Sequence, residues 1–172
     1  MTLKKTSQLM NLGSRIDLAD GISQNLTISL PLNSLEREVF VVTDIMMDYE
    51  PLQVPQLPGQ DVSMFCSVNK SSLSQLTINN PNCVGSLRVQ ITTTPVSETL
   101  QSTFSPKQVS SGSGNDFLSV ISTNDYVLSG TYATTGGVAP NRAVFVRITG
   151  FRAQATSDVY AALVTEELNS QF

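Results

Sequence analysis

Apolar residues in this chain recur at every second position, segment after segment, and that period is the strongest constraint on its fold. Leu26, Ile28, Leu30 and Leu32 point one way, with Thr27 and Ser29 opposite. Leu87, Val89 and Ile91 alternate in the same manner with Arg88, Gln90 and Thr92. A period of two is that of a strand with one face buried, whereas a helix would need 3.6. Strands are predicted on this basis over 26–32, 38–47, 62–68, 87–93, 117–122, 126–131, 143–151 and 158–165, with weaker signals over 73–78 and 96–104. Asn124-Asp125 reads as a tight turn making 126–131 the hairpin partner of 117–122. Short strands with turn residues at short intervals and no fixed repeat predict an all-β, antiparallel two-sheet sandwich of about eight strands.

Three segments break the alternation. Val39-Phe40-Val41-Val42 is a continuous apolar run, as expected of a strand covered on both faces. The same holds for 143–151 and 158–165, where Phe145, Phe151 and Tyr160 are the large side chains. One face of these strands must fill the sandwich, and the other must meet either more of this chain or a second subunit. In the first two dozen residues Leu9, Met10, Leu12, Ile16 and Leu18 fall at roughly helical spacing around Gly13. They are read as a short helix or an extended arm, which either docks on a neighbour or packs back on its own sandwich. The segment 50–60 carries Pro51, Pro55 and Pro58, which forbid both helix and central strand. It is expected to be an extended loop that tucks Leu52, Val54 and Leu57 down. Residues 105–116 and 134–141 read as loops. The organisation expected is an arm or helix at 1–24, one sandwich at 25–168 and a tail at 169–172.

The residue types present narrow the chemistry. The chain of 172 residues contains no His and no Trp. Without His, Ser–His–Asp and Cys–His catalysis and His-based zinc sites are excluded. Asp44, Asp48 and Glu50, with Asp61 across the proline loop, are the acidic cluster. Solvated charge at a strand end, a calcium site and a carboxylate hydrolase all use such residues, and the first reading is preferred, because no EF-hand spacing or aromatic sugar platform accompanies them. The glycine-rich 110–116 segment lacks the Lys-Ser/Thr of a phosphate loop. Asn25-Leu26-Thr27 and Asn69-Lys70-Ser71 match the glycosylation sequon by chance. Cys66 and Cys83 are compatible with a bridge and with two free thiols. No enzyme and no cofactor is expected.

Only 14% of residues are charged, against the usual quarter, and Ser, Thr, Asn and Gln fill the gap. A polar but weakly charged surface suits a chain packed against neighbours, because buried charge is costly to desolvate. The net charge is −4, and the ten basic residues are scattered, so no strong nucleic-acid binding is expected. Arg142, Arg147 and Arg152 are read as ion-pair or rim residues rather than a phosphate site. Lys4-Lys5 is followed by polar Thr6-Ser7-Gln8, not by a secretory apolar stretch, and no apolar run is long enough for a transmembrane helix.

About eight strands, an apolar arm before the first and a strong strand near the C-terminus resemble a single jelly-roll viral capsid protein. Residues 25–32, 36–47, 51–58, 143–151 and 158–168 carry the resemblance, which is one of architecture with no diagnostic motif. It implies a Greek-key sandwich that self-assembles into a shell with copies of itself and other virion proteins, located in the virion and assembled in the host cytoplasm. The chain departs from genome-packaging relatives in lacking a basic arm, which implies slight genome contact or a shell lined by an internal membrane. A phage decoration, tail or receptor-binding sandwich is the alternative function. The candidate contact residues are Leu9, Leu12, Ile16, Leu52, Val54, Leu57, Phe145, Phe151 and Tyr160.

Overall fold

A computed structural model describes residues 3–52, 59–70, 77, 80–93, 100–104, 108–110, 117–135 and 140–169. The strands are β1 (Leu3–Lys5), β2 (Met10–Leu18), β3 (Ser23–Ser29), β4 (Glu38–Tyr49), β5 (Asp61–Asn69), β6 (Cys83–Thr93), β7 (Leu100–Phe104), β8 (Gln108–Ser110), β9 (Ser119–Ile121), β10 (Asp125–Thr134) and β11 (Arg142–Ala155). A 3-10 turn covers Ser34–Glu36, and one helix, α1, covers Ser157–Asn169.

Two antiparallel sheets face each other. In the first, β4 and β11 lie at the centre, β1 and β2 share the outer edge of β11, and β8 and β9 share the outer edge of β4. The second runs β3-β10-β5-β6-β7. The pairings are nested: β5 with β6, β4 with β9, β3 with β10, β2 with β11. That is one long antiparallel hairpin whose turn lies between β5 and β6. Rolling it up brings β4 against β11 and β5 against β10, which is the jelly-roll topology.

The sandwich core follows from the alternation. Ile16, Leu18, Phe40, Val42, Ile45 and Met47 from the first sheet meet Met64, Cys66, Val68, Leu87, Val89 and Leu128 from the second. Tyr126 and Tyr132 are fully buried among them, and the Tyr126 hydroxyl reaches Ser14 Oγ at 2.7 Å. Cys66 and Cys83 are free thiols, both buried.

The uninterrupted run in β4 has a specific cause. The register between β4 and β11 shifts after Thr149↔Asp44 to Gly150↔Val42, leaving Thr43 as an extra residue, and Thr43 Oγ1 donates to the Thr149 carbonyl at 3.1 Å. A bulge of one residue inverts the alternation. Beyond it Phe40 and Val42 enter the sandwich core, while Val39 and Val41 turn to the opposite face. Gly150 is required here: a Cβ would lie 2.7 Å from the Phe40 ring and closer still to the Val41 carbonyl.

That opposite face is covered from within the chain. Residues 158–165 are not a strand, as their apolar content suggested, but part of α1. Val159, Tyr160, Leu163 and Val164 are half-buried and Glu167 is buried, whereas Ala161, Ala162, Thr165 and Glu166 are exposed, which is a helical stripe. Val159, Tyr160 and Leu163 pack with Phe117 and Phe151 on Val39, Val41, Val120, Ala153 and Ala155 to form a second, smaller core.

Three further expectations change. Residues 10–18 are not a helix but the edge strand β2, an extended segment packed back on the chain's own sandwich, whose nine-residue register with β11 satisfies the backbone. Residues 117–122 and 126–131 do not form a hairpin, because β9 joins the first sheet and β10 the second. The crossing between them is held by Glu167, whose carboxylate accepts the backbone N–H groups of Ser122 (2.9 Å) and Thr123 (3.0 Å) that a hairpin would have paired. The loop expected over 105–116 contains β8, paired with Asp44–Met46 of β4. The segments 71–76 and 78–79, most of the proline loop and the 136–139 tip lie outside the described residues.

Candidate assembly surface

The outer face of the first sheet has two halves. α1 covers the half beyond the bulge. On the other half, strand pairing builds three rows across β2, β11 and β4. They are Arg15–Phe145–Asp48, Gly13–Arg147–Met46 and Asn11–Thr149–Asp44. Alternation forces these side chains outward, because Val144, Val146 and Ile148 between them fill the sandwich core. Phe145 is 41% exposed. The Arg15 guanidinium lies 5.6 Å from the Phe145 ring centroid and pairs with Asp17 at 2.7 Å. Arg147 Nη2 lies 3.2 Å from Met46 Sδ, and Thr149 Oγ1 donates to Asn11 Oδ1 at 2.7 Å. Together Gly13, Met46, Asp48, Phe145 and Arg147 line an open groove of about 510 Å³. The face is apolar at its floor and charged at its rim, as protein contact patches are.

A second exposed feature lies at the far end of β4. Leu35, on the 3-10 turn, is 93% exposed. The turn is tied down on all sides. Asn33 Oδ1 accepts from Leu35 N at 3.1 Å, and Arg37 closes the turn at φ 56° in the left-handed region. Glu38, itself buried, accepts from Asn33 N at 3.0 Å and from Thr6 Oγ1 at 3.2 Å, and pairs with Arg152 at 3.6 Å. Gln154 Nε2 donates to the Glu36 carbonyl. The backbone that carries this exposed leucine is held in place, so little backbone entropy is left to lose on contact.

The expected contact residues divide accordingly. Ile16 is buried in the sandwich core and Leu12 packs against it, because β2 turns both inward. Phe151 and Tyr160 belong to the second core, under α1. Leu52 packs on the sandwich core, and Val54 and Leu57 lie outside the described residues. Phe145, together with Leu9 at 57% exposure, stays open to a partner. Leu35 escaped sequence reasoning, since a lone apolar residue in a polar turn has no periodicity. Its signal is the Asn33 cap two residues before it.

The acidic cluster does not converge. Asp44 and Asp48 stand two rows apart on the outer face, Glu50 Oε2 accepts from Ala143 N at 3.1 Å, and Asp61 opens β5. Among the described residues no group of three His, Cys, Asp or Glu side chains could hold a metal ion. Arg142, Arg147 and Arg152 do not converge either: a spacing of five along one strand alternates faces. Burial pushes the Cys66 thiol up to about 12, helped by nearby Cys83, and raises Cys83 to about 11, opposed by a backbone hydrogen bond from Gly85. Neither is a nucleophile at neutral pH. Among the described residues no helix is long and apolar enough to cross a membrane.

These features define a jelly-roll sandwich with an exposed, mixed-polarity sheet face. Among solved structures the chain is similar to a Merkel cell polyomavirus VP1 unassembled pentamer, at 8% identity and a TM-score of 0.43, covering 90% of this chain and 99% of that one. It is similar to chimpanzee polyomavirus VP1 at 7% identity and a TM-score of 0.42, covering 88% of this chain and 100% of that one. Turnip yellow mosaic virus matches at 9% identity and a TM-score of 0.31, covering 88% and 99%. No protein-family model and no curated protein sequence matches the chain. The jelly-roll assignment rests on the strand order itself.

Proposed function

We propose that the chain is a building block of a viral capsid, assembling with copies of itself into a shell and acting by packing rather than catalysis. The observation that carries this reading is the outer face of the first sheet. Phe145 and Met46 stand there on rigid central strands, ringed by Arg15, Arg147 and Asp48. An apolar floor inside a charged rim is how protein contact patches are composed. The low charge content, 14%, points the same way, since a large share of the surface can then be buried without stranding ions. Virion location follows from this reading.

Sedimentation velocity and negative-stain microscopy of the purified full chain test it. Closed particles or rings of one repeating size are expected. A monomer at every concentration and salt level refutes it.

A further inference from the structure

We infer that the Leu35 turn of one copy seats in the Phe145 groove of the next, joining subunits head to tail. The inference rests on the assembly reading above and names its contact.

The two features cannot meet within one chain. Leu35 stands beside Gln154, at one end of β11, and the groove surrounds Phe145, at the other. Nine residues of strand at ~3.3 Å each separate them by about 30 Å. A second copy is the occupant that can bring a knob to the groove.

The chemistry matches in type and sign. The knob is an apolar side chain followed by one acid and one base, Leu35-Glu36-Arg37, all exposed. The groove has a Phe145 and Met46 floor, with Arg147 and Asp48 at its rim beside an Arg15 already paired with Asp17. Leu35 placed on the floor lets Glu36 face Arg147 and Arg37 face Asp48, an acid against a base and a base against an acid. Gly13 adds the room. A Cβ built on it meets nothing within 4 Å, so the groove wall at that row is bare backbone.

A contact between different patches is heterologous, so each copy offers one knob and one groove and the contacts continue into a ring where the rotation closes or a filament where it does not. This is the contact type that builds rings.

Cross-linking of the full chain decides the point. Leu35→Cys and Gly13→Cys are made separately, and a short bis-maleimide is added to an equal mixture. Cys66 and Cys83 are buried and do not compete. A heterodimer in clear excess over both homodimers is expected, and a ladder from the double variant. Leu35→Asp is expected to raise the protein concentration needed for assembly about tenfold or more, since a buried leucine is replaced by a charge. Glu36→Arg is expected to weaken assembly and Arg147→Glu to restore it in combination. Unchanged melting temperatures show that these surface variants fold. Assembly that persists with no heterodimer excess overturns the knob-and-groove contact and leaves the capsid reading standing. A chain that never assembles overturns both.

Discussion

Glu167 is the residue on which the covering of the first sheet depends, and its removal has a calculable effect. Its side chain is fully buried, and its two oxygens accept backbone N–H groups from Ser122 and Thr123 at 2.9 and 3.0 Å. Glu167→Ala strands both donors beneath α1. Each buried donor left unsatisfied costs about 1–3 kcal/mol, and bonds to a charged acceptor lie at the upper end, so a loss of about 3–5 kcal/mol is expected. In a domain of this size one kcal/mol moves the melting temperature by about 2–4 °C, so the variant melts about 6–20 °C lower. Glu167→Gln keeps one acceptor but turns an NH₂ group toward the other donor, and falls between, at about 2 kcal/mol. Ala162→Ser, on the exposed face of α1, serves as the control and shifts melting by a degree or so. Differential scanning fluorimetry with urea titration measures these shifts, and hydrogen exchange locates them, with 119–124 and α1 losing protection together. Glu167→Ala melting within about a degree of the parent refutes the claim that this carboxylate ties the helix to the crossing between sheets.

Three further predictions rest on packing and burial. Gly150→Ala drives a methyl into the Phe40 ring and the Val41 carbonyl and is expected to cost about 2–3 kcal/mol, whereas Gly13→Ala meets open space and is neutral or gains a few tenths of a kcal/mol; urea midpoints separate them. The buried thiols, raised from 9.0 to about 12 and about 11, give a contribution to stability that is constant below pH 9 and falls from pH 9 to about 12, because the unfolded chain releases those protons first; urea unfolding across pH 7–11 checks the sign, and Cys66→Ala with Cys83→Ala should lessen the fall. Thiol titration with a maleimide at pH 7.5 should find no fast-reacting group until the chain is unfolded, when both react.

Much of the sandwich was legible before any coordinates. Where one face of a strand meets core and the other meets water, alternation alone assigns every side chain, and Leu26, Ile28, Val62, Met64, Cys66, Val68, Leu87 and Val89 all turned as their period required. The candidate contact surface was legible only in part. Phe145 stood out as a large apolar residue on the second face of a strong strand. Leu35 did not, because what makes it a candidate is the rigidity of its turn, and that comes from Glu38, Arg152 and Gln154.

The sequence by itself determined that this chain is built of antiparallel strands and carries no histidine chemistry, because both follow from local period and residue type. Tertiary structure alone decided the rest. Val159–Val164 is apolar enough for a strand and spaced well enough for a helix, and the choice fell to helix because Val39, Val41 and Val120 offered a flat apolar face for its stripe to cover. That face exists only because Thr43 is an extra residue in the pairing of β4 with β11, and a bulge is a property of two strands together. The same bulge divides the outer sheet into a half sealed by the chain's own helix and a half, around Phe145, left exposed.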